Sequence, residues 1–126
     1  MRIRLRSRGA DAIGDVIYDA NHTRRSVVTI LAGSILTIDP HAKGVARNIQ
    51  ANYRTAAEAL HNSALLKVNL PGGGEGYRVV ADITDLSVAG SAVIVTGNPG
   101  KGWDKWLIDE EGHPLQGHPL DDLRAQ

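Results

Sequence analysis

Polar and apolar residues alternate strictly at the amino terminus. Every second residue from position 2 to position 8 is an arginine, and Ile3, Leu5 and Ser7 lie between them. Successive side chains of a β-strand point to opposite faces, so this pattern predicts a half-buried strand with its arginines facing solvent. The arginines of this face are Arg2, Arg4, Arg6 and Arg8. Two interpretations are open: a charged face that discourages association through a strand edge, or a row of guanidinium groups that contacts phosphates.

Short apolar runs bounded by turn residues predict the remaining strands. The runs at 12–18 and 26–32 flank a polar turn and predict a hairpin, and the run at 35–38 continues the second strand after a Gly-Ser break. The runs at 65–70 and 76–83 predict a second hairpin, joined by the sequence PGGGEG. No Gly-Lys-Ser/Thr and no helix follow that loop, so it indicates a flexible hairpin tip rather than a phosphate-binding loop.

A long amphipathic helix is predicted from Pro40 to about Asn62. Asp39 suits the N-cap position and Pro40 suits the first helical position. At about 100° per residue, the apolar side chains form one stripe; they are Val45, Ile49, Tyr53, Ala56 and Leu60. The opposite stripe is basic and consists of Lys43, Arg47, Gln50, Arg54 and His61. The basic stripe is interpreted either as an ordinary solvated surface or as a surface for a polyanion.

A second, shorter helix is predicted over residues 87–96. This segment is apolar almost all round, so the helix is expected to be buried. Asp85 or Ser87 suits its N-cap, and Gly97 suits its carboxyl-terminal end. The predicted fold is therefore α+β: a small antiparallel sheet of about five strands, packed with one long amphipathic helix and one short buried helix.

Composition indicates the number of domains and the cellular compartment to expect. The 126 residues are enough for one domain, expected at 1–115 with a polar tail at 116–126. The absence of cysteine excludes disulfides and thiolate metal sites and fits a reducing compartment. The amino terminus lacks the apolar segment of a secretory signal, and no window is long enough to span a membrane. A cytoplasmic protein without a membrane partner is therefore expected.

Charge is unevenly distributed along a chain whose net charge is zero. Residues 1–80 contain eleven Lys and Arg against six Asp and Glu, whereas residues 81–126 contain three against eight. This asymmetry indicates either a basic face for a polyanion or an electrostatic attraction between the two halves.

Residues 101–106, KGWDKW, contain both tryptophans of a chain that has no phenylalanine. Indole rings stack on bases, and Lys101 and Lys105 could contact phosphates, so the cluster is a candidate nucleic-acid platform. Alternatively, the tryptophans anchor the core. Trp106 is expected in the core, and Trp103 is the candidate for exposure.

The order of these motifs resembles a known family. An apolar strand ends at Gly33 and Ser34, a charged helix and a hairpin follow, and a segment of small residues closes on a tryptophan. The matching closing positions are Ser87, Ala92, Gly97, Gly102, Trp106 and Gly112. Over about residues 9–115 the chain resembles the domain of unknown function found C-terminal in GIY-YIG nuclease-like and restriction-modification proteins. It is more distantly similar to the restriction enzyme adenine methylase associated domain.

The resemblance implies a role around DNA modification or restriction. Three positions depart from the family pattern: Val88 replaces a usual Pro, Ala89 replaces a second Ser, and Lys101 replaces an Asn. A ligand contact made by that Ser or Asn would be altered in this chain, whereas a capping or turn role would change little.

No catalytic residue, metal or cofactor is assigned. The five histidines form no ligand pattern, and no Ser-His-Asp arrangement can be identified. Asp82, Asp85 and Asp109 could hold Mg²⁺ for phosphodiester cleavage only if the fold brought them together beside a lysine.

The leading hypothesis is a non-enzymatic nucleic-acid-binding module, with DNA as the partner, in a restriction-modification or anti-phage system. Its candidate contacts are Arg2, Arg4, Arg6, Arg8, Lys43, Arg47, Arg54, Lys101, Trp103 and Lys105. The alternative is a protein-interaction module that binds a restriction or defence protein as an accessory subunit or inhibitor. Two further hypotheses are a nucleotide sensor that uses the loop GNPGKG and a metal-dependent nuclease. The leading hypothesis requires that the first strand and the long helix place their basic side chains on one continuous surface.

Overall fold

The computed structural model of the protein describes residues 1–19, 21–22, 25–108 and 118–119. The alternating segment at the amino terminus forms strand β1 (Arg2–Ser7), which pairs antiparallel with β2 (Ala10–Ile17). The two residues between the strands, Arg8 and Gly9, have φ angles of 45° and 95°. Positive φ at both central residues is typical of tight hairpin turns that match the twist of the strands. The prediction that Arg8 continues the arginine face of the strand is therefore wrong, because Arg8 lies in the turn.

Strand β2 is the centre of a branched antiparallel sheet. The further strands are β3 (Val27–Ile30), β4 (Ile35–Leu36), β5 (Leu65–Asn69), β6 (Glu75–Val79), β7 (Ile83–Ser87), β8 (Leu107–Ile108) and β9 (His118–Pro119). One edge of β2 pairs with β1; the other pairs with β3 along one half and with β4 at Asp11. The sheet continues from β1 to β8 and β9, from β3 to β7, and from β4 to β6 and β5.

The antiparallel sheet and both hairpins are confirmed, but the expected number of about five strands is too small. The run at 76–83 ends as a strand at Val79, and a separate strand, β7, begins at Ile83. Strands β8 and β9 are two residues each, too short to leave an alternating pattern in the sequence. Most of the predicted tail at 116–126 lies outside the described residues.

The Gly-Ser break marks the branch point of the sheet. The backbone N–H of Ile13 donates to Ser34 Oγ at 2.9 Å, and that hydroxyl donates to the carbonyl of Ile13 at 3.1 Å. Ser34 is fully buried, and the N–H of Gly33 donates to the carbonyl of Val79 at 2.7 Å. The serine hydroxyl thus supplies the acceptor for the N–H of Ile13 between β3 and β4, while the carbonyl of Ile13 also accepts the N–H of Leu31 at 2.9 Å.

The first helix is shorter than predicted. Helix α1 covers Gln50–His61, twelve residues, after a short 3-10 helix at Arg47–Ile49. Asp39 begins a turn instead of capping the helix: its carboxylate accepts the N–H of His41 at 3.1 Å. Gly44 then has a φ of 71°, which a continuous α-helix does not allow. The predicted helix start at position 40 is therefore wrong, because the Asp39 side chain bonds to nearby backbone in a turn and this competes with helix formation.

Helix α2 (Val88–Thr96) lies close to its predicted position. Ser87 is its N-cap and accepts the N–H of Gly90 at 2.9 Å, and Gly97 ends it in the left-handed conformation with a φ of 76°. Seven of its nine residues are buried, because the helix packs against one face of the sheet and is contacted by α1 on another side. No helix in the described part of the chain has the length and apolarity that crossing a membrane requires.

Candidate functional site

Two of the predicted arginines on β1 are paired with one carboxylate on β2. Arg4 donates to Asp11 through Nε at 2.9 Å and through Nη2 at 3.0 Å, and Arg6 Nε lies 3.5 Å from Asp11 Oδ1. The hydrogen bond from Arg4 lowers the pKa of Asp11, although partial burial of the carboxyl acts in the opposite direction. This fork-to-fork geometry fixes the Arg4 guanidinium against its neighbour strand.

The third arginine on this face has a carboxylate opposite it as well. Arg2 pairs in register with Asp15, and its Nε lies 3.9 Å from Asp15 Oδ1. The amino group of Met1 lies 3.6 Å from the same oxygen. The solvent face of β1 and β2 therefore alternates cations and anions, and it does not present a uniform row of positive charge.

The basic residues of β1 and those near α1 lie on different sides of the molecule. Ile3 and Leu5 point into the core under α2, so the arginines between them extend from the opposite face of the sheet. Helix α1 packs on α2, which covers the core side. The structure does not bring the two predicted basic surfaces into one continuous surface.

A groove of about 310 Å³ lies between the 39–46 turn and α1. Its lining combines backbone of the turn with side chains of the helix: Pro40, Ala42, Gly44, Val45, Gln50, Tyr53, Arg54 and Ala57. Lys43 and Arg47 are exposed on the segments next to it. Lys43, Arg47 and Arg54 form no ion pair with any residue that the structure describes. We call this region the α1 groove.

Tyr53 forms a fixed wall of the α1 groove. Its hydroxyl donates to the carbonyl of Gly97 at 2.6 Å, and its ring packs against the core. Burial raises the pKa of the Tyr53 hydroxyl, and the negative charge of Asp39 raises it further. The hydroxyl therefore stays protonated and bonded at neutral pH, which holds the ring in one orientation.

The start of α1 adds partial positive charge to the same region. Neither Ala46, before the 3-10 helix, nor Ile49, before α1, caps the helix with a side chain, and the first turns contain no acidic residue. Exposed N–H groups at a helix start carry a partial positive charge that favours anions nearby. Gln50 instead donates from Nε2 to the carbonyl of Val45 at 3.2 Å, which ties the turn to the helix.

Trp106 is a core anchor, as expected. It is fully buried, and its indole Nε1 donates to Ser91 Oγ at 2.9 Å. Ser91 is also fully buried and donates to the carbonyl of Val88 at 2.7 Å. The ring lies over Gly14, where an added Cβ would come within 3.2 Å of Trp106 Cη2.

The second tryptophan is only partly exposed. Trp103 packs against the core and meets Tyr18 edge to face, with ring centroids 6.1 Å apart. Lys105 folds back and donates to the carbonyl of Pro99 at 3.3 Å, whereas Lys101 is exposed. The KGWDKW cluster therefore does not present two open indole faces side by side.

A second groove, of about 350 Å³, lies on the other side of the 39–42 turn. Its lining residues include Asp39, His41, Lys67 and Glu75, of which Lys67 is the cation and Asp39 and Glu75 are the anions. Lys67 Nζ lies 2.9 Å from Glu75 Oε2, and this contact raises the pKa of Lys67. Its opposite charges neutralise each other, so the second groove lacks the net positive charge of the α1 groove.

The sequence pattern predicts that Lys43, Arg47 and Arg54 lie on the surface, and all three are exposed. The pattern does not predict the groove, because Tyr53 belongs to the apolar stripe of the predicted continuous helix, whereas the chain turns at Gly44 beside it. Gly44 is the residue in the sequence that points to this turn, because glycine inside a helical pattern weakens the prediction of a helix.

Among the described residues, no group of three or more His, Cys, Asp or Glu side chains lies close enough together to hold a metal ion. Of the acids considered for Mg²⁺, Asp82 accepts the N–H of Ala32 at 2.8 Å, and Asp85 has a φ of 60° in β7. Asp109, like Gly112 of the family pattern, lies outside the described residues.

Comparisons with known proteins identify no relative. No protein-family model matches the chain, and neither a curated protein nor a solved structure matches it.

Proposed function

We propose that the protein binds nucleic acid through the α1 groove alone, without the continuous basic surface of β1 and the long helix that the sequence-based hypothesis required. The observation that carries this proposal is the set of exposed cations at Lys43, Arg47 and Arg54, which border a concave site and have no carboxylate partner among the described residues. Phosphate contacts supply most of the affinity of nucleic-acid-binding proteins, and unpaired Lys and Arg are the side chains that make them.

The arginine face of β1 contributes less to this proposal than the α1 groove. Arg4 already donates two hydrogen bonds to Asp11, and a phosphate would have to compete with that carboxylate. Arg2 and Arg6 share their two carboxylates with other cations. A negative strand passing this face would meet aspartates as well as arginines, and like charges repel.

Two acidic residues lie near the α1 groove, and neither forms an ion pair with Lys43, Arg47 or Arg54. The negative charge of Asp39 nevertheless reaches the groove, because it raises the pKa of the Tyr53 hydroxyl. Asp39 lines the second groove and uses one carboxylate oxygen to hold the N–H of His41. Glu58 lies one turn beyond Arg54 on α1 and forms no ion pair with it.

The biological setting that we propose rests only on the resemblance described in the sequence analysis. A domain of the restriction-modification type that binds DNA without cleaving it would act as a cytoplasmic accessory module in restriction or phage defence.

The test is binding of a dye-labelled DNA oligonucleotide by fluorescence anisotropy at low salt. The double variant Arg47→Ala/Arg54→Ala is expected to weaken binding at least tenfold. The matched control is Arg78→Ala, which removes one exposed arginine from β6 without touching the groove. Equal affinity of the wild type and the double variant, or no binding by the wild type, would refute the proposal.

A second candidate function is the binding of a protein partner, and one observation favours it. Leu66 and Val80 are 50% and 46% exposed. Leu66 lies in β5 opposite Arg78, and Val80 directly follows the end of β6, where its N–H donates to the carbonyl of Ala64 at 2.8 Å. Co-purification with a co-expressed restriction subunit, and its loss in Leu66→Glu with DNA binding intact, would favour this candidate.

A further inference from the structure

The α1 groove has the dimensions of a small-ligand site. Its volume of about 310 Å³ is at the lower end of the range of about 300–1,000 Å³ that ligand pockets occupy. A single nucleotide is of this scale, whereas a duplex is far too wide to enter. A duplex could touch only the rim of the groove, with its phosphates.

The lining of the groove combines an aromatic side chain with a cation. Tyr53, Pro40 and Arg54 all line it, and the Tyr53 ring is held in place by the hydrogen bond from its hydroxyl to Gly97. Lys43 and Arg47 are exposed cations on the segments next to the lining. An aromatic wall beside a row of cations is the combination by which proteins bind single strands: the base stacks on the ring and the backbone follows the cations.

Bases are available for such stacking only when they are unpaired. In a duplex each base is stacked on its neighbours and its edge faces a groove of the helix, so Tyr53 could reach it only after the base is extruded. Extrusion costs free energy that a single strand does not have to supply.

From this geometry we infer that the α1 groove binds one unpaired nucleotide of a single-stranded nucleic acid, with its base against Tyr53 and its phosphates on Arg47 and Arg54. This inference rests on the proposed function and specifies its substrate class. A free mononucleotide presents the same base and phosphate, so the test must separate it from a strand.

The experiment compares three labelled or competing ligands at one salt concentration: a mixed-sequence single strand of about twelve nucleotides, its blunt duplex, and a mononucleotide mixture. The single strand is expected to bind at least tenfold more tightly than the duplex. The mononucleotides are expected to compete only at concentrations at least a hundredfold higher than the strand, because they lack the neighbouring phosphates.

Two substitutions at Tyr53 separate the ring from its hydroxyl. Tyr53→Phe keeps the ring and should bind the single strand within threefold of the wild type. Tyr53→Leu removes the ring and should lose about 5- to 150-fold in single-strand affinity, the range expected for one stacked base. Duplex binding should change by less than threefold in both variants.

Ala57→Leu provides an independent variant in case Tyr53→Leu impairs folding. Ala57 is half-buried on α1 and lines the groove, so a larger side chain there narrows the site without disturbing the core. It should weaken single-strand binding at least fivefold. Circular dichroism and thermal unfolding confirm that each variant is folded.

The outcomes separate the two proposals. Equal affinity for strand and duplex, or an unchanged single-strand affinity in folded Tyr53→Leu and Ala57→Leu, overturns the inference while the proposed function stands. Competition by mononucleotides at concentrations similar to the strand shows a free-nucleotide site and also overturns it. Absence of binding to any nucleic acid refutes the proposed function itself.

Discussion

The substitution Ser91→Ala tests whether the buried indole depends on its hydrogen-bond partner. Trp106 is fully buried and its Nε1 donates to Ser91 Oγ at 2.9 Å. Removing the hydroxyl leaves the indole N–H without an acceptor in a site that water does not reach. A buried donor that loses its partner costs about 1–3 kcal/mol.

The predicted loss of stability is large enough to measure. Alanine is a slightly better helix former than serine, by at most about 0.5 kcal/mol, which offsets part of the cost. The expected net loss is therefore about 0.5–2.5 kcal/mol. At an unfolding entropy of about 2.1 cal/mol/K per residue, a chain of this length loses about 4 °C in Tm for each kcal/mol.

Urea denaturation followed by circular dichroism gives the free energy of unfolding of both proteins. The matched control is Thr55→Ala on α1, whose hydroxyl donates to the carbonyl of Ala51 at 3.1 Å at an exposed position. This control gains helix propensity in the same way but removes no buried partner, so it should stay within about 0.5 kcal/mol of the wild type. If Ser91→Ala and Thr55→Ala had the same effect, the indole would not need the serine and the reasoning would be refuted.

Three further predictions concern packing and pH. Gly14→Ala should lose about 1–3 kcal/mol by overpacking, because the new Cβ would lie 3.2 Å from the Trp106 ring, whereas Gly72→Ala in the open hairpin tip should be neutral or slightly stabilising; thermal unfolding distinguishes them. The pKa of Asp11 is lower in the folded state than in the unfolded state. Its ionised carboxylate therefore stabilises the fold at a pH above the unfolded-state pKa, and this stabilisation is lost as the pH falls through the folded-state pKa. Between pH 6 and pH 3, urea titrations should show a larger loss in the free energy of unfolding for the wild type than for Asp11→Asn. The pKa of Tyr53 is raised in the folded state, so its protonated hydroxyl stabilises the fold below about pH 10, and this stabilisation is lost as the pH rises further. Tyr53→Phe should therefore be less stable than the wild type at pH 7, and its free energy of unfolding should depend less on pH in the alkaline range. The same alkaline pH dependence in both proteins would contradict this.

The strands and the buried helix were predictable because their signals are local. The alternation around Ile3 and Leu5 fixes which face of β1 is buried, and a one-residue shift would reverse it. Ser87 and Gly97 bound α2 through capping preferences that any chain shows. The bounds of these elements depend on residues within a few positions along the chain, so a local sequence pattern is enough to predict them.

The start of α1 and the pairing of the arginines were not predictable from local patterns. Asp39 and Pro40 suit a helix start and a turn equally well. In the structure they form a turn, because Asp39 accepts the N–H of His41 and Gly44 adopts a positive φ. The neutralisation of Arg4 depends on register across the hairpin, which brings Asp11 to its side. That register depends on the two-residue turn at Arg8 and Gly9, which the alternating pattern obscured.

The most direct test of the nucleic-acid proposal is the salt dependence of single-strand binding. If Lys43, Arg47 and Arg54 each contact one phosphate, the logarithm of the association constant should fall with the logarithm of salt concentration with a slope of about −2, at about −0.7 per contact. Arg54→Gln should reduce the slope to about −1.4. A slope near zero in the wild type, or an unchanged slope in the variant, would contradict the account.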